Sequence, residues 1–360
     1  MQYRQHNPLP LPESGRSAAV RCDMDTIFDW EYGLERDKLL ALYEKGKAAT
    51  WNATDLDWSI EVNLEKMVRD RVGPQSAQLF NQMLQPPREL APEESMEMQL
   101  NINAWMLSQF LHGEQGALVA TAKIVQAAPL EEAKWYAANQ VADEARHVEV
   151  YHRYLTEKLG RSFEVNRHLQ SLLDDIIADS RWDMTYLGMQ IMVEGLALAA
   201  FGLMKVQMPD EPLIQDITTR IMADEARHVA FGVLSLEDLY KEMTEAELRE
   251  REDFVIEATH LMRDRLLMEQ VYERMGWDVK TWLEWATKTP FMKGFRQMLF
   301  SKIVPNLRRL GLLTPRVREA YAKIDLLQFE HLKDSTEDAE PLPPAELVEL
   351  LTRLRSAESA

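Results

Sequence analysis

The chain has 360 residues, 46% of them hydrophobic and 28% charged, and a net charge of −18. That is the balance of a globular protein with a substantial core, in one large domain or two ordinary ones. The negative charge argues against nucleic acid or an anionic membrane surface as a main partner. A single cysteine, Cys22, rules out an internal disulfide and suits a reducing compartment, so cytoplasmic residence is the expectation.

Residues 1–25, with Pro8, Pro10 and Pro12, read as an extended arm without a basic-then-apolar leader. Leu34, Lys38, Leu39, Leu42 and Tyr43 carry a short helical period over 34–50. The stretch from Trp51 to Trp58 is turn-rich and aromatic, an ordered loop rather than a linker. From Glu93 the chain turns Ala/Leu/Met/Glu-rich, and long helices are expected at 94–127, 131–158, 168–207, 211–241 and 245–275. Pro129 and the Pro209–Pro212 turn are the breakers until Gly276. Shorter helices are expected over 277–330, punctuated by Pro290, Pro305 and Pro315; an acidic tail from Asp334 to Pro344 then leads to a last short helix. No β pattern is present, and no uncharged run reaches membrane-spanning length, the best stretch, Gly188–Leu203, being interrupted by Glu194. The expected fold is all-α, with an arm and short helices over 1–93, a four-helix bundle over 94–241, and additional helices over 242–360.

The bundle carries a duplication. Asp143-Glu144-Ala145-Arg146-His147 recurs as Asp224-Glu225-Ala226-Arg227-His228, and Glu114 and Glu194 precede the two motif glutamates by 30 and 31 residues. Glutamate and histidine at i and i+3 share one helix face. Pro129 lies midway between Glu114 and Glu144, and the Pro209–Pro212 turn midway between Glu194 and Glu225. If these prolines mark turns, each pair of helices is antiparallel and each lone glutamate returns to the height of its Glu-x-x-His partner. Two such hairpins face to face place Glu114, Glu144, His147, Glu194, Glu225 and His228 in one layer. Buried carboxylates are costly without cations, and four of them balance two divalent ions, with neutral imidazoles completing the coordination. Oxygen-rich ligands with imidazole favour iron or manganese over zinc. Metal-bound histidine needs an acceptor for its second N–H; Asp224 should serve His147 and Asp143 should serve His228, with Arg146 and Arg227 offsetting their charge. A solvated ion-pair role fits one Glu-x-x-His but not two with matched upstream glutamates.

At these residues, over about 94–241, the chain resembles the ferritin-like di-iron carboxylate superfamily. Its Asp-Glu-x-Arg-His form is similar to bacterial multicomponent monooxygenase hydroxylases and to acyl-carrier-protein desaturases, and Trp51–Trp58 looks like the segment before the bundle in ribonucleotide reductase small subunits. The resemblance implies two iron ions, with manganese possible, dioxygen as co-substrate, an electron-donor protein (a reductase or ferredoxin), and a homodimer. It implies oxidation (hydroxylation, N-oxygenation or desaturation) of a small organic or acyl substrate. Tyr151, four residues after His147, occupies the offset of the radical-bearing tyrosine in the reductase subunits, so radical generation is the alternative; those subunits usually have aspartate at Glu114 and lack the motif arginines. Arylamine N-oxygenases of this superfamily carry an extra histidine where this chain has Ile221, and the hydroxylases carry threonine where it has Leu198. By those two positions the chain departs from both. Iron storage ranks last, because storage cages use chains about half this length.

Ala117, Leu118, Ala197 and Leu198, one turn after the lone glutamates, should line any substrate pocket. Gly188, Gly195 and Gly202 recur every seven residues beside Glu194 and suggest a close helix crossing rather than a cavity. His112, His152 and His260 read as surface or satisfied core histidines.

Overall fold

A computed structural model of the protein describes residues 18–71, 81 and 84–337. The prolines of the N-terminal arm, much of the acidic tail and the last expected helix lie outside the described residues. Among these the chain is all-α, with no strand. Two short helices, α1 (Asp37–Ala48) and α2 (Leu64–Arg71), precede the long α3 (Pro92–Ala127) and α4 (Glu131–Arg153). After α5 (Arg167–Ala178) comes one continuous rod made of α6 (Trp182–Tyr186), a π-helical segment (Leu187–Val193) and α7 (Glu194–Gln207). Then follow α8 (Pro212–Leu236), α9 (Glu245–Arg265) and the shorter α10 (Glu269–Arg274), α11 (Val279–Lys288), α12 (Pro290–Met298), α13 (Ile303–Arg309) and α14 (Pro315–Ala322).

The four helices that position the site are α3, α4, the rod and α8. Pro92 opens α3 at a position where its missing N–H costs nothing, and Glu94 reaches back to accept from the Ala91 N–H at 3.2 Å. The chain reverses around Pro129 between α3 and α4, and around Pro209 between the rod and α8. Pro212 occupies the first turn of α8, and the buried Glu211 caps it, accepting from the N–H groups of Leu213 (3.0 Å) and Ile214 (2.6 Å). Tyr154, in the π-helical turn that ends α4, donates to the same carboxylate at 2.8 Å and ties the two hairpins together at one end.

The expected helix over 168–207 is two elements, and its break has a tertiary cause. No glycine or proline occupies Asp179–Arg181. Instead Lys123 of α3, largely buried, donates to the carbonyl oxygens of Ile176 and Ile177 at 3.0 Å each and to that of Asp179. An ammonium on the last carbonyls of a helix meets its unpaired acceptors and its negative dipole end. Arg181, also paired with Asp179, fixes the turn into the rod. The expected helix over 245–275 also divides, at Met268, whose φ of 58° is left-handed. The one expected over 211–241 ends at Leu236, because Asp238 takes a φ of 75°.

By length and composition the stretch Trp182–Val206 could cross a membrane, but almost all of it is buried inside this protein. A helix apolar all round is a core helix, and here it is the centre of the bundle. Gly188 and Gly195 on it mark close packing, although not at one crossing. A Cβ at Gly188 would stand 2.5 Å from Ile176 of α5, and one at Gly195 would stand 3.1 Å from Ile303 of α13. The π-helical turn between them spoils the seven-residue register that a regular helix would keep. Beyond the bundle, α9 closes over the rod through a buried two-point ion pair between Arg251 and Asp183, both contacts at 2.9 Å. Tyr321 of α14 joins its hydroxyl to Thr259 of α9 at 2.8 Å.

Candidate metal centre

The four bundle helices bring all six predicted side chains into one buried layer. Glu114 comes from the middle of α3, Glu144 and His147 from α4, Glu194 from the first turn of α7, and Glu225 and His228 from α8. None is more than 5% exposed, and both histidines are wholly buried. The ligand atoms fall into two groups, each within 4.8 Å mutually: Glu114, Glu144, His147 and Glu225 in one, and Glu144, Glu194 and His228 in the other. Nδ1 of His147 stands 3.2 Å from Glu114, 3.3 Å from Glu225 and 3.4 Å from Glu144. Nδ1 of His228 stands 3.1 Å from Glu144 and 3.5 Å from Glu225. Glu144 and Glu225 therefore face both histidines, while Glu114 and Glu194 flank the two ends.

The outer nitrogen of each imidazole points at the aspartate of the other motif copy. Nε2 of His147 is 3.1 Å from Asp224, and Nε2 of His228 is 3.3 Å from Asp143. Arg146 and Arg227 each pair with the aspartate three residues earlier on their own helix. These contacts leave Nδ1 of both histidines aimed into the cluster.

The electrostatics of the layer call for cations. Burial raises the Glu114 and Glu194 carboxyls well above the usual range, and Glu225 adds to the rise at both. At Glu144 the two histidines outweigh burial and hold the carboxyl well below it. Burial opposes charge on His147 and His228 as well, but Glu114 and Asp224 around the first, and Glu144 around the second, raise both. Without metal the layer therefore draws in protons. Both oxygens of Glu225, one each of Glu144 and Glu194, and Nδ1 of His228 have no hydrogen-bond partner. Unpaired acceptors at this burial are costly unless an ion satisfies them. Four carboxylates and two imidazoles fit two divalent cations in charge and in donor type.

Tyr151 is buried, its hydroxyl has no partner, and its ring packs against Phe110 (5.9 Å) and Phe201 (6.1 Å). Burial, with Glu114 nearby, keeps its hydroxyl protonated. Ala117 and Leu198 are buried, whereas Leu118 and Ala197 are half-buried. Of the other histidines, His112 contacts the Phe163 carbonyl at 2.9 Å, and His152 and His260 are exposed.

Three residues of the site escape sequence reasoning. Gln140 is wholly buried, and its amide donates to Glu144 at 2.9 Å and to Glu194 at 3.0 Å. Its position four residues before Glu144 was the available signal. Trp51 donates from Nε1 to Asp224 at 2.7 Å and stacks on His147 with ring centroids 6.3 Å apart. Asn139 donates to Asp143 at 3.3 Å.

Fold and site together define a ferritin-like oxidoreductase built around a dinuclear metal centre. Residues 119–311 match the sequence model of the P-aminobenzoate N-oxygenase AurF family, and the chain belongs to that family. The matched residues take in every member of the cluster except Glu114. The chain is thus a member of an N-oxygenase family, one that carries isoleucine at position 221. Among solved structures, the dimanganese(II)-NrdF of Streptococcus sanguinis is similar at 16% identity and a TM-score of 0.50, over 82% of this chain and 98% of that one, and shows the shared fold. A variant of an R2-like ligand-binding oxidase with a Mn/Fe cofactor is similar at 15% identity and a TM-score of 0.46, over 76% and 93% of the two chains. No curated protein sequence matches the chain.

Proposed function

We propose that this protein holds two iron ions, for which manganese could substitute, and uses dioxygen to oxidise a small organic substrate, N-oxygenation of an aromatic amine being the reaction its family favours. The observation that carries the reading is the buried layer of four glutamates and two histidines with orphaned ligand atoms. Glu114, Glu144, His147 and Glu225 would hold one ion, and Glu144, Glu194 and His228 the other. When bound, a reduced iron pair supplies electrons to dioxygen and delivers an oxidising equivalent to an adjacent substrate. Asp143 and Asp224 orient the imidazoles by accepting their outer N–H, and Arg146 and Arg227 pair with those aspartates. Ala117 and Leu198 make an apolar wall that suits an organic substrate over hydrated ions. Burial of the layer excludes bulk water, which limits loss of oxidising equivalents to solvent. A reductase or ferredoxin would supply the electrons, and a homodimer in the cytoplasm remains the expected form.

The test is oxygen consumption by Fe(II)-loaded protein with p-aminobenzoate and other aromatic amines, with products followed by mass spectrometry. Iron-dependent uptake and an oxygenated amine support the reading; protein that binds iron yet leaves oxygen unconsumed sinks it. Radical generation at Tyr151 is the second reading, favoured by its buried, unpartnered hydroxyl near Glu114. A tyrosyl radical signal that vanishes in Tyr151→Phe would select it.

A further inference from the structure

We propose that Gln140 is a positioning residue that makes the two metal positions unequal, by clamping Glu194, which serves one position alone, to Glu144, which serves both. The inference rests on the dinuclear reading above and concerns how its two halves differ.

One amide group of Gln140 spans two helices. Its Nε2 reaches Oε1 of Glu144 on its own helix at 2.9 Å and Oε1 of Glu194 on α7 at 3.0 Å. Glu194 belongs only to the group completed by His228, whereas Glu144 belongs to both groups. The amide is wholly buried, and its oxygen has no partner. A buried amide with an unpaired oxygen is costly, a cost that an aliphatic side chain would avoid.

The second motif copy has that aliphatic side chain. Ile221 precedes Glu225 by the same four residues as Gln140 precedes Glu144, and it is also wholly buried. It can donate no hydrogen bond. Glu114 and Glu225 therefore have no equivalent clamp from the corresponding place on α8. The difference extends one further turn back, where Tyr136 in the first copy corresponds to Ile217 in the second.

A carboxylate already fixed by a donor loses less freedom when it takes up a metal, and the donor also tempers its negative charge. Glu194 gains most, because it serves that one position alone. Outer partners of this kind typically change metal affinity by about 10–100-fold. Gln140 thus supports the Glu144/Glu194/His228 position more than the other, and the two ions bind in separable steps.

The experiment is an anaerobic calorimetric titration of the metal-free full chain with Mn(II), comparing wild type, Gln140→Leu, Gln140→Met and Ile221→Gln. Circular dichroism of each metal-free variant checks folding, and Gln140→Met preserves the shape of the side chain should leucine disturb packing. The expected result is two events per wild-type chain, of which one weakens by about 10–100-fold in both Gln140 variants while the other shifts less. Ile221→Gln should shift chiefly the event that the Gln140 variants move less. Equal shifts of both events in folded Gln140 variants, or no shift of either, overturn the role of Gln140 while leaving the dinuclear reading intact. A wild-type chain that takes up fewer than two ions overturns the dinuclear reading itself.

Discussion

The two motif copies share five identical residues and sit in different surroundings. Around the first, Tyr136, Gln140 and Tyr151 share the face of α4 that carries Glu144 and His147; at the matching places on α8 stand Ile217, Ile221 and Gly232. Gly232 has a steric reason, since a Cβ there would come within 2.5 Å of the Gln190 side chain. No counterpart of Tyr151 can fit on α8. The aspartates differ too, Asp224 being held by the indole of Trp51 at 2.7 Å and Asp143 by Asn139 at 3.3 Å. A duplicated ligand frame sets the metal layer, and the unduplicated residues around it give each side its chemistry.

The largest expected effect comes from a residue that both halves share. Glu144 faces both histidines, so Glu144→Ala should cut bound metal from two ions per chain to near none by elemental analysis. His228→Ala should spare one ion; equal loss in the two variants would mean that the halves do not bind separately.

Stability should separate the copies next. Gly232→Ala forces a methyl into packed side chains and should cost about 1–3 kcal/mol, read as a lower denaturation midpoint. Tyr151→Phe, the corresponding position in the first copy, removes a hydroxyl without a partner and should change stability by less than about 1 kcal/mol. A larger loss from Tyr151→Phe than from Gly232→Ala would reverse the comparison.

Titration provides a third test. Glu114, Glu194 and both histidines have raised folded-state pKa values, Glu114 and Glu194 through burial. Groups of this kind stabilise the fold below their unfolded pKa and lose that contribution as pH climbs through the folded value. The melting temperature of the metal-free protein should therefore fall between about pH 5 and about pH 8. Metal-loaded protein should show the opposite trend, because protons compete for the same ligands. Parallel slopes for the two forms would contradict the assignment of these groups as ligands.

The smallest effect concerns the aspartates. Trp51→Phe removes the 2.7 Å contact to Asp224 and should weaken the His147 position by about tenfold. Asn139→Ala, losing a contact of 3.3 Å, should do less at the other.

The all-α fold and the six clustered side chains were legible because proline spacing and i, i+3 pairing are local signals that already imply the tertiary arrangement. The break between α5 and the rod was not, because Lys123 lies more than fifty residues away and no local breaker marks it. The π-helical turn before Glu194 was equally hidden, which is why the seven-residue glycine repeat suggested a single crossing. Gln140 reads in sequence as one more polar residue on an amphipathic helix, and only burial against Glu194 of a different hairpin distinguishes it. Trp51 sits in a loop whose order was visible but whose contact with Asp224 spans 173 residues.

The most direct measurement is anomalous diffraction from crystals of the iron-loaded protein. Two iron peaks are predicted inside the bundle, one among Glu114, Glu144, His147 and Glu225 and one among Glu144, Glu194 and His228. Iron absent from this layer, or a single peak with the second group empty at saturating metal, would contradict the account.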